Sequence, residues 1–238
     1  MKYSDYLAQT QRLLQNPGAS ASLYATSDLN SYINQARTYV AGDALCARTN
    51  GSITMAALAT SFIFSSVIIS GTGYQEIQTI NQIASGLSTG TGRTPMYERP
   101  FPWFNQYYLG AQVPATGVPM EWAQQGQGSL GTVYLYPTPY TAVTLYLDII
   151  GLPSAITSDS DTDVIPDQFS SAVPYMAAYY AYLSAQRTTD ADAMMEKYSK
   201  RKEAARRFAN GEVLPWQASQ GHDPAMQGHY GKQTMGGG

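Results

Sequence analysis

Side chains that could do chemistry are few and scattered in this sequence. The only histidines are His222 and His229, and the only cysteine is Cys46. Both histidines lie in a stretch rich in glycine, glutamine and proline, where nothing holds metal ligands in a fixed geometry. A Ser-His-Asp triad would need one of them, and no GxSxG motif, P-loop or GxGxxG motif follows a predicted strand. The sequence therefore predicts no catalytic residue, no metal site and no cofactor.

Three aspartates alternate with small polar residues in the run DSDTD at 159–163. The spacing resembles the start of an EF-hand loop. That loop needs glycine at its sixth position and glutamate at its twelfth, where this chain has Val164 and Ser170. We interpret the run as a solvated turn. Two other roles stay open, the acidic wall of a channel in a ring-shaped assembly and the metal site of a hydrolase, and both would use Asp159, Asp161 and Asp163.

Basic residues cluster in a predicted helix that follows residue 190 and ends near residue 210. Their spacing wraps them around this helix rather than along one face. Glu196 and Glu203 offer pairing partners at helical spacing. We expect a solvated helix that also contacts acidic partner surfaces, with phosphate binding as the alternative. The cluster holds six of the 14 basic residues of the chain: Lys197, Lys200, Arg201, Lys202, Arg206 and Arg207.

Aromatic residues are dense at 101–108, in the run FPWFNQYY. Such a run could stack on sugars or bases, but stacking on nucleic acid usually comes with a basic groove, and only Arg93 and Arg99 lie near. We therefore favour packing, a subunit interface or a tail-facing surface. The residues assigned to this role are Trp103, Phe104, Tyr107, Tyr108 and Trp122.

Composition indicates a surface that other proteins cover. Charged residues make up 13% of the chain, about half the usual share of about 25%, and there are 19 tyrosines. Interface cores are depleted in charge and enriched in aromatic residues. The net charge of −3 argues against a nucleic-acid binder. The stretch 53–70 has the length of a membrane span, but its serines and threonines favour two strands, so we expect no membrane segment.

The pattern of apolar residues predicts an α+β fold with a mainly helical core. Leu29, Ile33, Ala36 and Val40 fall on one helical face, with Arg37 and Asp43 off that face. Two N-terminal and two C-terminal helices would form the core, with a β-rich region inserted between them and a flexible C-terminal tail. The predicted division is a helical core of 1–48 and 153–211, a β-rich insert of 49–152 and a tail of 212–238.

Several segments, in this order, resemble a known protein family. They are the stretch from Asp28 to Arg37, the run TGVPMEWAQ at 116–124, the run GTVYLYPTP at 131–139 and the run AVPYMAAYYAYLSAQR at 172–187. Together they span roughly residues 27–200. The chain resembles the head-to-tail adaptor, or connector, proteins of tailed bacteriophages, which are also called tail accessory factors.

This resemblance implies a structural virion component rather than an enzyme. Such adaptors form a dodecameric ring beneath the portal protein, with a helical core and a β-rich part that faces the tail. The ring connects the capsid to the tail and continues the channel through which DNA passes without specific binding. The implied location is the neck of the virion, after assembly in the host cytoplasm. The alternative is a neck or tail-completion protein that binds the tail first.

The adaptor hypothesis assigns partners to particular segments. We expect the loops of 93–140 to contact the next tail or nozzle protein. We expect 197–238 to contact the portal, with the C-terminal segment becoming ordered on it. The portal-binding residues predicted are Lys197, Lys200, Arg201, Arg206, Arg207, Phe208, Leu214 and Trp216.

Overall fold

The structure, a computed structural model, describes residues 1–15, 23–86, 92–109 and 115–209. Within these residues the helices are α1 (Tyr3–Leu13), α2 (Thr26–Ala44), α3 (Phe101–Phe104), α4 (Asp167–Ser170), α5 (Val173–Ser184) and α6 (Thr188–Ala209). The strands are β1 (Arg48–Met55), β2 (Ser61–Ile63), β3 (Ile68–Ile69), β4 (Tyr74–Gly86), β5 (Arg93–Pro95), β6 (Tyr97–Glu98), β7 (Thr116–Gly117), β8 (Glu121–Gln125), β9 (Thr132–Tyr136), β10 (Thr138–Pro139) and β11 (Val143–Pro153). Short 3-10 turns occupy Phe64–Ser66 and Gly128–Leu130, and a π-turn occupies Asn105–Leu109.

Two of the sheets pack face to face as a β-sandwich. The five-stranded sheet has the order β3-β1-β11-β4-β5, and the four-stranded sheet has the order β2-β9-β8-β6. One core joins them, with Leu147 and Ile149 from the first sheet against Trp122 and Val133 from the second. In β9 the buried residues alternate with partly exposed ones, as expected for a strand with one face in a core. A further pair, β7 and β10, is parallel.

The chain crosses between the two sheets at each lateral side of the sandwich. On one side β2 and β3, which follow each other in sequence, are the outer strands of the two sheets. On the opposite side the outer strands are β5 and β6. We call these the β2/β3 side (61–69) and the β5/β6 side (93–98).

The helices pack around α5. This helix is contacted by α1, α2 and α6, and its residues Ala177, Ala178 and Ala181 are fully buried. Small side chains let neighbouring helices approach closely, and a helix that is apolar all round belongs in a core. Pro174 lies in the first turn of α5, where the missing N–H leaves no hydrogen bond unmade.

The prediction of a mainly helical core with two N-terminal and two C-terminal helices is wrong. Sheets of five, four and two strands form a large part of the described structure, and three helices rather than two follow β11. The longest strand, β4, lies within the region of 49–152 that the sequence predicted to be β-rich. The predicted tail of 212–238 lies outside the described residues.

The strand β4 carries buried isoleucines at a helix-like spacing. Ile77, Ile80 and Ile83 are all buried although they are three residues apart, whereas side chains of a regular strand alternate every two residues. The register between β4 and β11 shifts twice in this region, at Asn81 and at Gln78. Each bulge adds one residue and returns the next isoleucine to the core.

No helix in the described ranges is long and apolar enough to span a bilayer. The stretch 53–70, considered above as a span, instead contains the end of β1, all of β2 and all of β3.

A side chain at Gly131 would collide with the core of the sandwich. A Cβ placed there would lie 2.5 Å from the Phe64 ring, which is itself buried in the core. We expect Gly131→Ala to lower the free energy of unfolding by about 1–3 kcal/mol because the ring must move. Gly42→Ala, in α2 with only ordinary contacts, should raise it by about 0.5–1 kcal/mol. Urea unfolding of both variants checks this, and equal effects would contradict it.

Candidate interaction surfaces

Two of the three aspartates of the 159–163 run are exposed and hold local turns. Asp159 accepts hydrogen bonds from the backbone N–H of Ser4 at 2.7 Å and its hydroxyl at 2.8 Å. Asp161 accepts from the N–H groups of Thr157 at 2.6 Å and Ser158 at 2.9 Å. These backbone donors lower the pKa of both carboxyl groups. Both therefore remain charged at neutral pH and exposed to solvent.

Asp163 is in a different position, inside the protomer. It pairs with Arg37 at 2.9 Å, and the two side chains are 5% and 1% exposed. The hydroxyl of Tyr6 donates to its second oxygen at 2.5 Å. Asp163 therefore cannot face a channel, and this part of the prediction is wrong. Arg37 was predicted to lie off the buried face of α2. It instead points inward to this carboxylate.

The Arg37 network connects segments that are far apart in sequence. Arg37 also donates to the carbonyl oxygen of Ser154, just after β11, at 2.7 Å. Asn34, one turn earlier on α2, exchanges hydrogen bonds of 2.9 Å with both backbone groups of Ile156. Because Tyr6 lies on α1, the network joins α1, α2, the end of the large sheet and the connection to α4.

The acidic run does not gather into a cluster of metal ligands among the described residues. In the described part of the chain, no three or more His, Cys, Asp or Glu side chains are placed to hold a metal ion. The three aspartates instead bind separate groups, as described above. Cys46 is half-buried, and burial raises the pKa of its thiol to about 12.

The basic cluster of α6 divides into an inner and an outer set. Asp43 of α2 accepts hydrogen bonds from Lys202 at 2.7 Å and from Tyr198 at 2.5 Å. Arg206 donates to the Asp43 carbonyl oxygen. Burial opposes ionisation of Asp43, but the hydrogen bonds from Lys202 and Tyr198 outweigh it and hold the pKa below its usual value. The inner set thus fixes α6 to α2, and Arg206 is turned toward α2 rather than presented to a partner.

The outer set lies along one exposed face of α6. Its members share one side of the helix, whereas Lys202 and Arg206 point toward α2, so the six basic residues surround the helix as the sequence predicted. Phe208 ends this face and is 84% exposed. Glu196 forms an ion pair with Lys200 of this set at 2.5 Å. We call this the outer face of α6, and it consists of Lys197, Lys200, Arg201, Arg207 and Phe208. Leu214 and Trp216, predicted to act with it, lie outside the described residues.

The predicted aromatic set is only partly available to partners. Phe104 and Trp122 are buried in the core, which fits the packing role and excludes an interface or tail-facing role for these two residues. Trp103 is half-buried against Tyr107, and Tyr107 itself is exposed. Tyr108 stacks on Tyr136 with ring centroids 3.6 Å apart.

A cavity of about 320 Å³ opens beside Tyr108 on the β5/β6 side. One wall is the ion pair of Arg99 and Glu121 at 2.7 Å. The Tyr108 hydroxyl donates to Glu121 at 2.7 Å, and this hydrogen bond raises the pKa of Tyr108 to about 12. Arg99 in turn lowers the pKa of Glu121. The remaining wall is mostly aromatic and apolar, and includes Tyr97, Met120, Tyr136 and Pro137. We call this the aromatic cavity.

Sequence reasoning missed the buried pairing of Arg37 and the apolar residues exposed on the β2/β3 side. For Arg37 the helical pattern held a weak signal, since residue 37 follows the buried residues 33 and 36. For the β2/β3 side the signal was stronger, because no charged residue lies between Arg48 and Glu76.

Comparison with known families supports the resemblance drawn from residues 27–200. The model of the SU10 adaptor protein family matches residues 1–222. This match covers most of the chain and confirms the resemblance to phage adaptors. The comparison with curated proteins found no match.

Removing the charge of Asp163 should strongly destabilise the fold. Asp163→Asn keeps the side-chain shape but leaves the buried guanidinium of Arg37 without a counter-charge, which typically costs about 3–5 kcal/mol. Asp192→Asn is the matched control, because Asp192 is exposed and its loss should change stability by less than about 0.5 kcal/mol. Urea unfolding with circular dichroism distinguishes the two. Equal stability of both variants would show that the network carries little of the fold.

Acid should weaken the attachment of α6 to α2. The pKa of Asp43 is lowered in the folded protein, so the stability from its hydrogen bonds is fully present above about pH 4 and is lost as the pH falls further. We expect the free energy of unfolding to fall more steeply below pH 4 in the wild type than in Asp43→Asn. Asp28→Asn, at an exposed position of α2, should retain the wild-type slope. Identical slopes in all three proteins would contradict the prediction.

Proposed function

Because the chain belongs to the SU10 adaptor protein family, a family of structural phage adaptors, we propose that it is a head-to-tail adaptor that forms a ring on the portal. In this function a ring of twelve copies connects the capsid to the tail and continues the DNA channel. The ring assembles in the host cytoplasm and becomes part of the virion neck. The observation that carries the portal contact is the outer face of α6.

The outer face combines the groups that dominate protein–protein contacts. Arginines and aromatic residues are enriched among residues whose loss weakens binding most, and this face offers Arg201, Arg207 and Phe208 beside two lysines. Its positive charge suits an acidic surface on the portal. Because α6 runs directly into residues 210–238, a portal that binds this face also receives the C-terminal segment, including Leu214 and Trp216.

The inner set of basic residues makes this face rigid before binding. Lys202 and Arg206 fix α6 to Asp43, so little conformational freedom is lost when the outer face docks. The C-terminal segment would become ordered on the portal at the same step. Repeated in every copy of a ring, weak contacts of this kind give an effectively permanent attachment.

The charge distribution supports passage of DNA without binding. The net charge is −3, and Asp159 and Asp161 are exposed. Tight DNA binding requires cationic contacts to phosphates. A channel lined by these aspartates would therefore let DNA slide.

Reversing charge on the outer face should weaken portal binding. The double variant Lys197→Glu, Arg201→Glu should bind purified portal rings from the same genome about tenfold less tightly at low salt, and the difference should shrink at high salt. Lys2→Glu, Arg12→Glu makes the same change of net charge at exposed positions near α1 and should bind as the wild type does. Interferometry on immobilised portal rings measures the affinities, and native mass spectrometry gives the stoichiometry.

Two results would contradict this proposal. Equal binding by both double variants would show that the outer face does not contact the portal. Unchanged binding after deletion of 212–238 would show that the C-terminal segment does not contribute to the contact. Assembly of the wild type on purified tails but not on portals would favour the alternative of a tail-side neck or tail-completion protein.

A further inference from the structure

A pocket of about 300 Å³ opens where the C-terminal end of α2 meets the last turn of α6. The buried ring of Phe169 and the half-buried Cys46 form apolar parts of its wall. A volume at the lower end of those that bind small molecules admits one large side chain rather than a folded surface. We call this the α2/α6 pocket, and its lining includes Leu45, Cys46, Arg48, Pro166, Phe169 and Arg206.

The two arginines of the α2/α6 pocket are already held in position. Arg48 forms an ion pair with Asp148, and Arg206 donates a hydrogen bond to the Asp43 carbonyl oxygen. A guanidinium group stacks favourably on the face of an aromatic ring, and tryptophan is the best ring for this contact. Apolar walls beside two fixed guanidinium groups therefore suit an aromatic side chain.

The C-terminal segment of the same chain begins beside this pocket. Arg206 lies three residues before Ala209, the last residue of α6, which is a rise of about 4.5 Å along the helix. Trp216 follows seven residues after Ala209 and lies outside the described residues. Because seven extended residues span at most about 25 Å, Trp216 can reach the α2/α6 pocket of its own chain.

The residues that connect α6 to Trp216 complement the charge of the pocket. The run NGEVLPW at 210–216 has a single charged side chain, Glu212, which is opposite in charge to the two arginines. Opposite charges steer a segment to its site and fix its register there. Trp216 is also the only Phe, Tyr or Trp residue of 209–229, so it is the side chain of this stretch that fits the pocket.

We propose that Trp216 occupies the α2/α6 pocket of its own chain in the free protein and leaves the pocket when the portal binds. Occupation follows from the pocket and the short connection, whereas release rests on the proposed function, in which the portal receives Trp216. The portal releases the segment because it binds Trp216 more tightly than the pocket does. Until then a large aromatic side chain is covered, which limits association of free copies through it.

Maleimide labelling of Cys46 tests the occupation, because Cys46 lines the pocket and is the only cysteine of the chain. Trp216→Ala should be labelled about tenfold faster than the wild type, the ratio for a pocket filled in about nine chains of ten. Trp216→Phe keeps an aromatic ring and should retain most of the protection. Met226→Ala, which shortens a large side chain of the same segment, should keep the wild-type rate.

Mass spectrometry measures these rates, and circular dichroism verifies that each variant is folded. Burial raises the pKa of the Cys46 thiol to about 12, and the thiolate is the reactive form. All four proteins are therefore compared at the same alkaline pH.

Portal rings from the same genome test the release. When both proteins are bound to portals, the wild type and Trp216→Ala should be labelled at equal rates, because Trp216 has left the pocket. Comparing the two bound proteins with each other cancels any shielding of Cys46 by the portal itself.

Four outcomes separate this inference from the proposed function. Equal labelling of the free wild type and free Trp216→Ala would overturn the inference. Protection that increases with protein concentration would also overturn it, because the occupant would then be Trp216 of another copy. A difference that persists on portal rings would overturn the release. If the wild type does not bind portals, the proposed function fails, and labelling of the free chain still decides whether Trp216 occupies the pocket.

Discussion

The buried ion pair of Arg37 and Asp163 holds the parts of this protein in register. Both charges are removed from water, and Tyr6, Ser154 and the backbone after Asp163 satisfy their remaining hydrogen-bonding groups. A buried pair with complete partners is tolerated, whereas either charge alone is strongly destabilising. Because its members come from α1, α2 and the connection after β11, the network specifies how the helical layer meets the sandwich. The surfaces assigned to partners depend on that geometry.

A second, partly exposed network does the same for α6. The Asp43 carboxylate accepts hydrogen bonds from Lys202 and Tyr198, and the Asp43 carbonyl oxygen accepts one from Arg206. The helix packs mainly on α5, and these hydrogen bonds also attach it to the end of α2. The two networks divide the charged residues of this chain into those that build the protomer and those that remain for contacts.

The separate sides of the molecule suit the separate contacts proposed for an adaptor. The outer face of α6 is basic, the β2/β3 side has no charge, and the β5/β6 side has compensated charges around a cavity. Surfaces of such different chemistry do not compete for one partner.

Local patterns in the sequence determined the buried face of α2, the charge-poor middle of the chain and the family resemblance. They gave the helices too large a share of the fold, because the largest sheet pairs strands that lie far apart in sequence, such as β1 with β11. Tertiary structure alone decided which charged and aromatic residues reach solvent. Arg37 and Asp163 are 126 residues apart, and such a pair forms only after the elements pack. Spacing along the chain reports which residues share a face, whereas burial and pairing depend on what lies opposite that face.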